Sequence, residues 1–579
     1  MFTLQEFING NSQILLDEEG PIQKAKFWKV KQSNKNWVEK LEKSDAHKYA
    51  SEWLPAFGIY RYRESDGFDA KQLVIHKKGS IVKVIGYSGE REVLSQLFQW
   101  TLDTLSVMCK GYGVAPSEIN QAIHQRKDMF DQWNTDFLPF LPDVEIQDAN
   151  GKSIKTKSAP LVDGDTFAYL TFQNGVVQIT KDLEKPKLIP YKDLPDNRFV
   201  WHNSVLPVDY SDELLKDGPR GHFWKLINNT AREQEGRSDW SINQQQLAVI
   251  VNAYGYLLHN YYPPNNRKAI ILYDRNSDPM RRMGGNGKSL IAQSLKHIKP
   301  QFSIDGERAG NCRDKFLWSG YKPFHRVVLF SDTTEKFTLA PLYNAITDGF
   351  EVEEKNKDKY VIAPENSPKI VITTNTPPHA FDRSDKRRVC FVPIGDFYGW
   401  HLDTSGDDPS DLHNGLLFGP NWSEDDWKDY FATCVYCLKK FLDEGLQSFG
   451  DKERIEHSRL QICKGDELLL KEMESFIKTE CFADNSITQK YGRGCFRSDY
   501  FSLWESPDFE QYKYHSNKFK RRVFFDLCAA LGVEINPDRL QKLHPTTGAR
   551  DDFWMMSRPT QTVGDDGDLS KLFEGEDWG

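Results

Sequence analysis

The period of apolar and polar residues changes several times along this chain, most clearly near its centre. The apolar run Ala269–Tyr273 has the length and β-branched content of a buried strand. A polar, glycine-rich segment follows it, and a helical pattern begins at Lys288. The later runs His325–Phe330 and Lys369–Thr373 predict two more buried strands. Buried strands that alternate with helical segments predict an α/β fold with a central parallel sheet.

The residues on either side of this centre show a mixed order of strand and helix patterns. The run 166–172 alternates, meets Gln173-Asn174-Gly175 and continues at 176–179, which predicts a β-hairpin. The helical pattern of 212–262 ends at Pro263. The other predicted elements are strands at 58–62, 72–76, 81–85 and 552–556 and helices at 90–108, 422–446 and 468–481.

Composition indicates a globular protein and excludes several classes. Apolar residues make up 39% and aromatic residues 13% of the chain, which excludes a disordered protein. Neither a membrane-spanning run nor a signal-peptide pattern is found, so no membrane partner is expected. The nine cysteines lack a framework spacing, which favours a reducing, cytoplasmic compartment. Cys434 and Cys437 fall within a helical pattern, where core packing is expected rather than metal binding.

The net charge of −9 argues against a protein whose whole surface is coated with nucleic acid. Local basic segments are still compatible with this net charge. Two such segments contain lysine or arginine at close spacing, and each also fits a solvated charged surface. One is predicted as a hairpin between the second and third buried strands, and the other lies among aromatic residues near the C-terminus. Their basic residues are Lys355, Lys357 and Lys359 in the first and Lys518, Lys520, Arg521 and Arg522 in the second.

The glycine-rich segment has the residues of a phosphate-binding loop between a strand and a helix. In such a loop, backbone N–H groups face the β-phosphate, the lysine reaches the β- and γ-phosphate oxygens, and the hydroxyl ligates Mg²⁺. Arg282 stands where the usual pattern has its first glycine, and the neighbouring glycines supply the freedom at positive φ instead. The segment predicts a nucleotide site formed by Gly284, Gly285, Asn286, Gly287, Lys288, Ser289 and Leu290.

Polar residues follow the other two buried strands, at the sheet edge where the loop is expected. Asp332 lies at the end of the second strand, where an acid in phosphate-loop enzymes holds Mg²⁺, usually through water. Asn375 follows the third strand, where an amide can orient the attacking water or sense the γ-phosphate. Arg387 and Arg388 directly precede a further strand, which places them well for reaching the nucleotide of a neighbouring subunit.

Four motifs, taken in order, resemble those of one helicase family. They are GGNGKS, VVLFSDTT, EKNKDKYVIAPENSPKIVITTN and SDKRRVCFVPI. Their order and spacing are similar to those of superfamily 3 helicases, the AAA+ replication motors of small viruses, phages and plasmids. Within that family the chain resembles the C-terminal motor of phage-type primase-helicases in mobile elements of Bacteroidetes-like bacteria. The resemblance covers roughly residues 210–450 and extends more weakly before them.

The resemblance implies an ATP- and Mg²⁺-dependent DNA helicase that works as a homo-oligomeric ring, expected to be a hexamer, in the replication of a phage, plasmid or integrated element. Lys288 and Ser289 would match its phosphate and Mg²⁺ residues, Asp332 its metal-site acid and Asn375 its sensor. Arg388 would match the arginine finger that acts in trans, with Arg387 as the alternative. The lysine hairpin would match the pore loop that follows single-stranded DNA.

Two departures from the family pattern keep a second hypothesis open. The family has two adjacent acids after the second strand, whereas here the first is Ser331, for which Glu335 is a possible substitute. Together with Arg282, this permits an AAA+ ring scaffold that binds nucleotide, hydrolyses little and assembles on DNA or a partner protein. A primase-helicase fusion is disfavoured because no catalytic acid cluster precedes residue 210.

The length of 579 residues requires several domains. We expect an α+β N-terminal domain, a strand-rich connector, a helical collar, the AAA+ ATPase core, a helical extension, a winged-helix-like domain and an acidic, disordered tail. The winged helix would present the second basic segment to duplex DNA, and other replication proteins are possible partners. In order, the domains are expected at 1–110, 111–210, 211–265, 266–400, 401–465, 466–560 and 561–579.

Overall fold

The protein is described by a computed structural model, in which the acidic tail at 561–579 lies outside the described residues. The described residues are 30–31, 37–38, 47–63, 72–87, 91–110, 140–147, 153–157, 159–181, 185–195, 197–235, 239–263, 267–275, 284–306, 314–322, 324–334, 337, 339, 342–353, 355, 359–375, 387–448, 467–477, 481, 490–491, 493–512, 515–530, 533–535 and 540–557.

Strands are found along the whole described chain. In chain order they are β1 (Val30–Lys31), β2 (Trp37–Val38), β3 (Ile59–Arg63), β4 (Gln72–Lys78), β5 (Ile81–Tyr87), β6 (Glu145–Gln147), β7 (Ser153–Lys157), β8 (Ala159–Pro160), β9 (Phe167–Phe172), β10 (Gly175–Thr180), β11 (Lys187–Ile189), β12 (Arg198–Trp201), β13 (Arg232–Glu235), β14 (Asp239–Ile242), β15 (Ala269–Asp274), β16 (Gln301–Asp305), β17 (Val327–Thr333), β18 (Phe350–Val352), β19 (Tyr360–Ile362), β20 (Lys369–Thr374), β21 (Val389–Ile394), β22 (Gly494–Phe496), β23 (Glu534–Ile535), β24 (Leu540–Leu543) and β25 (Arg550–Ser557).

The helices cluster in the central and C-terminal parts of the chain. In chain order the α-helices are α1 (Leu54–Ala56), α2 (Arg91–Lys110), α3 (Gly221–Thr230), α4 (Gln244–Leu258), α5 (Lys288–Ser294), α6 (Tyr343–Thr347), α7 (Phe397–Ser405), α8 (Pro409–Leu412), α9 (Glu424–Glu444), α10 (Glu467–Phe476), α11 (Arg497–Leu503) and α12 (Asn517–Ala530). Short segments of 3₁₀- or π-helix lie at Tyr49–Trp53, Tyr191–Asp193, His202–Ser204, Asp212–Leu215, Leu295–His297, Pro364–Asn366 and Pro507–Tyr512.

A five-stranded parallel sheet lies at the centre of the fold, in the order β16-β17-β20-β15-β21. Every residue of β15 and of β20 is buried, because other elements cover both faces of the sheet. Ile270 and Leu272 enter one hydrophobic core, while Ala269 and Ile271 enter the other. The sequence prediction of a mixed α/β fold with a central parallel sheet is therefore confirmed.

Helices α3, α4 and α9 cover one face of this sheet together with strands β9 and β10. The helix pair α4 and α9 crosses at close range at Gly255, where a Cβ atom would lie only 2.1 Å from the carbonyl oxygen of Cys437. Cys434 and Cys437 are fully buried on α9, in agreement with the core packing expected for them. Helix α9 ends at Glu444 and is followed by Gly445, which adopts a positive φ of 77°.

The other face of the central sheet packs against residues of the N-terminal part, including Tyr62 and Trp201. That part contains a second five-stranded sheet in the order β3-β4-β5-β12-β8. Strand β12 pairs in parallel with both β5 and β8, so strands from either side of residue 110 belong to one sheet. The predicted hairpin is confirmed as β9 and β10, and β11 pairs with β10 as a third strand.

The helical pattern predicted for 212–262 is partly wrong, because a β-hairpin divides it. Strands β13 and β14 pair from Arg232 to Ile242 between helices α3 and α4. Asn243 then begins α4, since its side-chain oxygen accepts a hydrogen bond from the N–H of Gln246 at 2.9 Å. The predicted end of this helical segment before Pro263 is confirmed, with α4 ending at Leu258.

The C-terminal part has its own hydrophobic core and a small antiparallel sheet. Strand β25 pairs with β22, β23 and β24. Along the chain, helix α10 precedes β22, helices α11 and α12 follow β22, and the hairpin of β24 and β25 comes last. Over the described part of the chain, no helix combines the length and the apolar content needed to cross a membrane.

Candidate nucleotide site

The glycine-rich loop lies at the carboxyl edge of the central sheet and leads into helix α5. Gly284, Gly285 and Gly287 have φ values of 90°, 82° and 89°, in the left-handed region that residues with a Cβ atom rarely adopt. Gly287 is also crowded, because a Cβ atom there would lie 3.1 Å from Cδ1 of Leu226. These glycines allow the loop to curl around a cavity.

This cavity has a volume of about 320 Å³ and brings together three of the segments singled out in the sequence. The loop supplies one wall, Asp332 comes from β17, and Asn375 follows β20. The side-chain amide of Asn375 lies 3.8–3.9 Å from the position of a Cβ atom on Gly284. The complete lining is Gly284, Gly285, Asn286, Gly287, Lys288, Ser289, Leu290, Asp332, Asn375 and Pro409.

Asp332 is held in an uncommon backbone conformation at the mouth of the cavity. Its φ is 53°, and the register of β17 shifts between Phe330 and Thr333. The N–H of Asp332 donates to Oγ1 of Thr373 at 2.9 Å. Non-glycine residues with positive φ carry a conformational cost and often occur at functional sites. The shift turns the Asp332 carboxylate out of the sheet and towards the phosphate loop.

Ser289 and Asp332 provide two oxygen atoms that fit a magnesium ion. The Ser289 hydroxyl lies 3.5 Å from Oδ1 of Asp332, and Asp332 is exposed to solvent. Mg²⁺ prefers oxygen ligands, keeps several water molecules, and is held by one or two protein groups together with substrate phosphates. A hydroxyl and a carboxylate beside an open cavity match this requirement.

Lys288 lies near the loop as predicted, but its ammonium group faces the end of β15. Nζ of Lys288 donates to Oδ1 of Asp274 at 2.5 Å, and the two side chains are 3% and 0% exposed. Asp274 is the last residue of β15 and was missed in the sequence. The available signal was its place directly after the apolar run, at the carboxyl end of a buried strand.

Asn286 fixes the loop from its other side. Its Nδ2 donates to Oδ1 of Asp274 at 2.9 Å, and its Oδ1 accepts the N–H of Gly399 at 2.9 Å. The residue is buried. A single side chain thus joins the end of β15 to the first turn of helix α7.

Arg387 and Arg388 lie at the opposite edge of the sheet from the cavity. They directly precede β21, whose first residue pairs with Ala269 at the start of β15. The length of β21 separates them from the loop by roughly 17 Å. Arg387 is exposed, and the guanidinium carbon of Arg388 lies 4.6 Å from the centre of the Tyr343 ring. Neither arginine lines the cavity of its own chain.

The predicted lysine hairpin is present as β18 and β19, which pair in an antiparallel register. Lys355 is exposed near its tip, whereas Lys357 lies outside the described residues. Nζ of Lys359 is 3.5 Å from Glu351 and 3.4 Å from Glu353. The hydrogen bond with Glu353 and the negative charge of both glutamates raise the pKa of Lys359. Its positive charge is therefore partly compensated within the hairpin.

The second basic segment forms the first half of helix α12. Lys518, Arg521 and Arg522 are exposed there, and Arg522 lies 3.2 Å from Asp526. Lys520 departs from the prediction of a basic face, because it is only 8% exposed and its ammonium lies 5.6 Å from the centre of the Trp504 ring. Its place on the helix turns it towards the core.

Of the residues that mark departures from the family pattern, Arg282 and Glu335 lie outside the described part of the chain. Ser331 is described, and its hydroxyl donates to the carbonyl oxygen of Ile304 at 3.4 Å. Its side chain therefore bonds to the neighbouring strand β16.

No family model matches this chain, and no curated protein matches its sequence. Among solved structures, the A form of the apo NrS-1 C-terminal region aligns over 88% of this chain and 98% of that chain, at 12% identity and a TM-score of 0.34. A JCV helicase with a bound small molecule aligns over 46% of this chain and 72% of that chain, at 11% identity and a TM-score of 0.17. Similarity of this size carries no conclusion about function.

Proposed function

We propose that this chain is an ATP-dependent DNA helicase motor of the AAA+ type, related to the superfamily 3 helicases. The observation that carries the proposal is the single cavity formed by a phosphate-type loop, Asp332 and Asn375. In open parallel sheets, ligands bind outside the carboxyl ends of the strands where the strand order reverses. The loop after β15 occupies such a place. After β15 the chain forms β16, β17 and β20 on one side of β15, and it then forms β21 on the other side.

The residues of the cavity would have different roles in binding and hydrolysing ATP. Backbone N–H groups of the loop and the Lys288 ammonium are suited to the β- and γ-phosphates. Ser289 and Asp332 would hold Mg²⁺, which supplies positive charge to the phosphate oxygens as negative charge develops on them. The Asn375 amide would orient the attacking water. Asp332 serves as a metal ligand and not as a base in this scheme.

A ring of copies would complete the site. Arg388 is distant from the cavity of its own chain, and an arginine supplied by a neighbouring subunit stabilises the charge on a transferring phosphoryl group. We assign this role to Arg388, with Arg387 as the alternative, in a homo-oligomer expected to be a hexamer. The helical collar, the ATPase core and the C-terminal unit would follow the boundaries expected from the sequence.

DNA would be held at two places. The hairpin of β18 and β19 would follow single-stranded DNA through the ring, with Lys355 as its main exposed cation among the described residues. The helix and strand order of the C-terminal part, with two helices after β22 and a hairpin at the end, supports a winged helix. There α12 would present Lys518, Arg521 and Arg522 to duplex DNA.

A nucleotide-binding ring scaffold with little hydrolysis is the second candidate. Ser331 supports it, since an acid in that position would polarise the attacking water and the serine hydroxyl instead bonds to a backbone carbonyl. In that case ATP would hold copies together on DNA or on a partner protein.

DNA-stimulated ATP turnover separates the two candidates. The purified protein would be assayed beside Lys288→Ala and Arg388→Ala, with gel filtration in the presence of nucleotide. A helicase requires robust turnover in the unmodified chain and its loss in both variants. Assembly that depends on nucleotide, accompanied by little turnover, would favour the scaffold. Failure to bind nucleotide at all would refute both.

A further inference from the structure

The contact between Lys288 and Asp274 is the most deeply buried ion pair among those with both partners in the described chain. Asp274 is fully buried and Lys288 is 3% exposed. Both donors that reach the carboxylate, Lys288 Nζ and Asn286 Nδ2, bond to the same oxygen, Oδ1. The other oxygen, Oδ2, is buried and has no hydrogen-bond partner among the residues that the structure describes.

Two negatively charged groups can bind the Lys288 ammonium: the Asp274 carboxylate and the phosphates of a nucleotide. Taking one partner away from a buried ion pair leaves an uncompensated charge, which is strongly unfavourable. Asp274 therefore holds Lys288 at the sheet end, where Nζ is shielded from the solvent. A triphosphate in the cavity attracts the same ammonium through several oxygen atoms and a larger negative charge. Carboxylate and phosphates therefore compete for Lys288.

We propose that Asp274 is a built-in competitor for the nucleotide, a carboxylate that occupies Lys288 until a triphosphate chain displaces it. This inference rests on the proposed function, since it requires that the loop binds phosphates. The pair lowers the affinity for every nucleotide that draws Lys288 away from Asp274. Asn286 keeps its bond to Asp274 when Lys288 leaves, so the carboxylate retains one donor and the loop retains its shape.

The test is the affinity of Asp274→Asn for ATP and ADP, measured by calorimetry with and without Mg²⁺. Asparagine keeps the shape of the side chain and removes its charge, so Lys288 becomes available. We expect tighter binding by at least about fivefold, the lower end of typical coupling between sites. In a Lys288→Ala background, the same substitution should have no effect, because the competitor acts only through the lysine.

Glu233→Gln provides a matched control. Glu233 accepts a hydrogen bond from Arg275, the residue after Asp274, at 3.1 Å, and it makes no contact with Lys288. Loss of this carboxylate should leave nucleotide affinity unchanged. Circular dichroism melting would confirm that each variant is folded before affinities are compared.

Weaker or unchanged binding by folded Asp274→Asn would overturn the inference and leave the nucleotide site standing. If that variant does not fold, a structure of the unmodified protein with a bound ATP analogue decides the question. The inference requires Nζ of Lys288 to leave hydrogen-bond distance of Asp274 for the phosphates, and an intact pair in that complex would refute it. An unmodified chain that binds no nucleotide would refute the proposed function itself.

Discussion

The hydroxyl of Ser289 lies 3.5 Å from Oδ1 of Asp332, although the two residues are 43 positions apart in sequence. The contact joins the start of helix α5 to the end of β17 at the mouth of the cavity. In the proposed nucleotide site, this hydroxyl and this carboxylate would together hold an Mg²⁺ ion beside the phosphate loop.

Asp332→Asn should abolish Mg²⁺-dependent hydrolysis while nucleotide still binds without metal. The amide is a much poorer metal ligand than the carboxylate, and loss of the metal's charge stabilisation should lower kcat by about 100-fold or more. The measurement is ATP turnover over a Mg²⁺ titration, with metal-free ADP affinity as the companion. Ser331→Ala is the control, because its hydroxyl bonds to β16. Hydrolysis by Asp332→Asn at the unmodified rate would contradict the metal site.

Arg388→Ala should lose turnover but keep nucleotide affinity, since the arginine lies away from its own cavity. Mixing this variant with Lys288→Ala gives the decisive measurement. Some interfaces of a mixed ring pair an intact cavity with an intact arginine, so the mixture should hydrolyse ATP although neither variant does. A mixture as inactive as its components would show that Arg388 does not act in trans. Arg387→Ala, tested in the same way, distinguishes the two arginines.

Lys355→Ala should weaken binding of single-stranded DNA more than Lys359→Ala does. Lys359 already lies within 3.5 Å of two glutamates, so less of its charge is available to phosphates. Removal of one phosphate contact lowers the slope of log affinity against log salt by about one. Fluorescence anisotropy at several salt concentrations measures this slope. Equal losses in both variants would contradict the distinction between the two lysines.

Arg521→Ala and Lys518→Ala should weaken duplex DNA binding without lowering the melting temperature. Lys520→Ala is the matched variant on the same helix. It should lower the melting temperature and leave duplex DNA binding unchanged. Its stem and ammonium pack beside Trp504 in the core, so its loss should destabilise the C-terminal unit by roughly 1 kcal/mol. Thermal melting and duplex affinity of the full chain measure both effects. A Lys520→Ala variant that melts normally and loses DNA would overturn this division.

Acid should destabilise the protein through His413. Burial, with the charges of Lys225 and His222 nearby, lowers the pKa of His413 from 6.5 to about 4. The unfolded chain therefore binds more protons than the folded chain between these values, and the free energy of unfolding falls as the pH drops from 6.5 to 4. Nε2 of His413 lies 2.6 Å from the Tyr398 hydroxyl. His413→Gln, which can accept the same bond, should show a shallower pH dependence in denaturant titrations.

Patterns that are local in sequence predicted much of the fold. Strands β15, β17 and β20 were evident because both of their faces are buried, which requires continuous apolar runs. The hairpin of β9 and β10 was evident from alternation around Asn174-Gly175. The hairpin of β13 and β14 was missed, since its residues from Arg232 to Ile242 are largely polar and lack the alternation of a half-buried strand.

Long-range contacts explain what the sequence did not show about the candidate site. The loop, Asp332 and Asn375 were each singled out because their strands end beside them, and the sheet brings these ends together. The pairing of Lys288 with Asp274 depends on the path of the loop between them, which residue spacing does not determine. The burial of Lys520 depends on Trp504, which directly follows helix α11. Basic residues in a row therefore do not show which of them face solvent.

Strand β21 lies between Arg388 and the helix that anchors the glycine-rich loop. Arg388 precedes its first residue, and the Gly399 N–H that holds Asn286 follows shortly after its last. It is the edge strand of the central sheet and pairs in parallel with β15 along its whole length. In the proposed ring, a neighbouring copy that contacts Arg388 would therefore act on the strand that leads to the Gly399 contact with the glycine-rich loop. Occupation of the cavity in one copy would then be linked, through β21, to the contact which that copy makes with its neighbour.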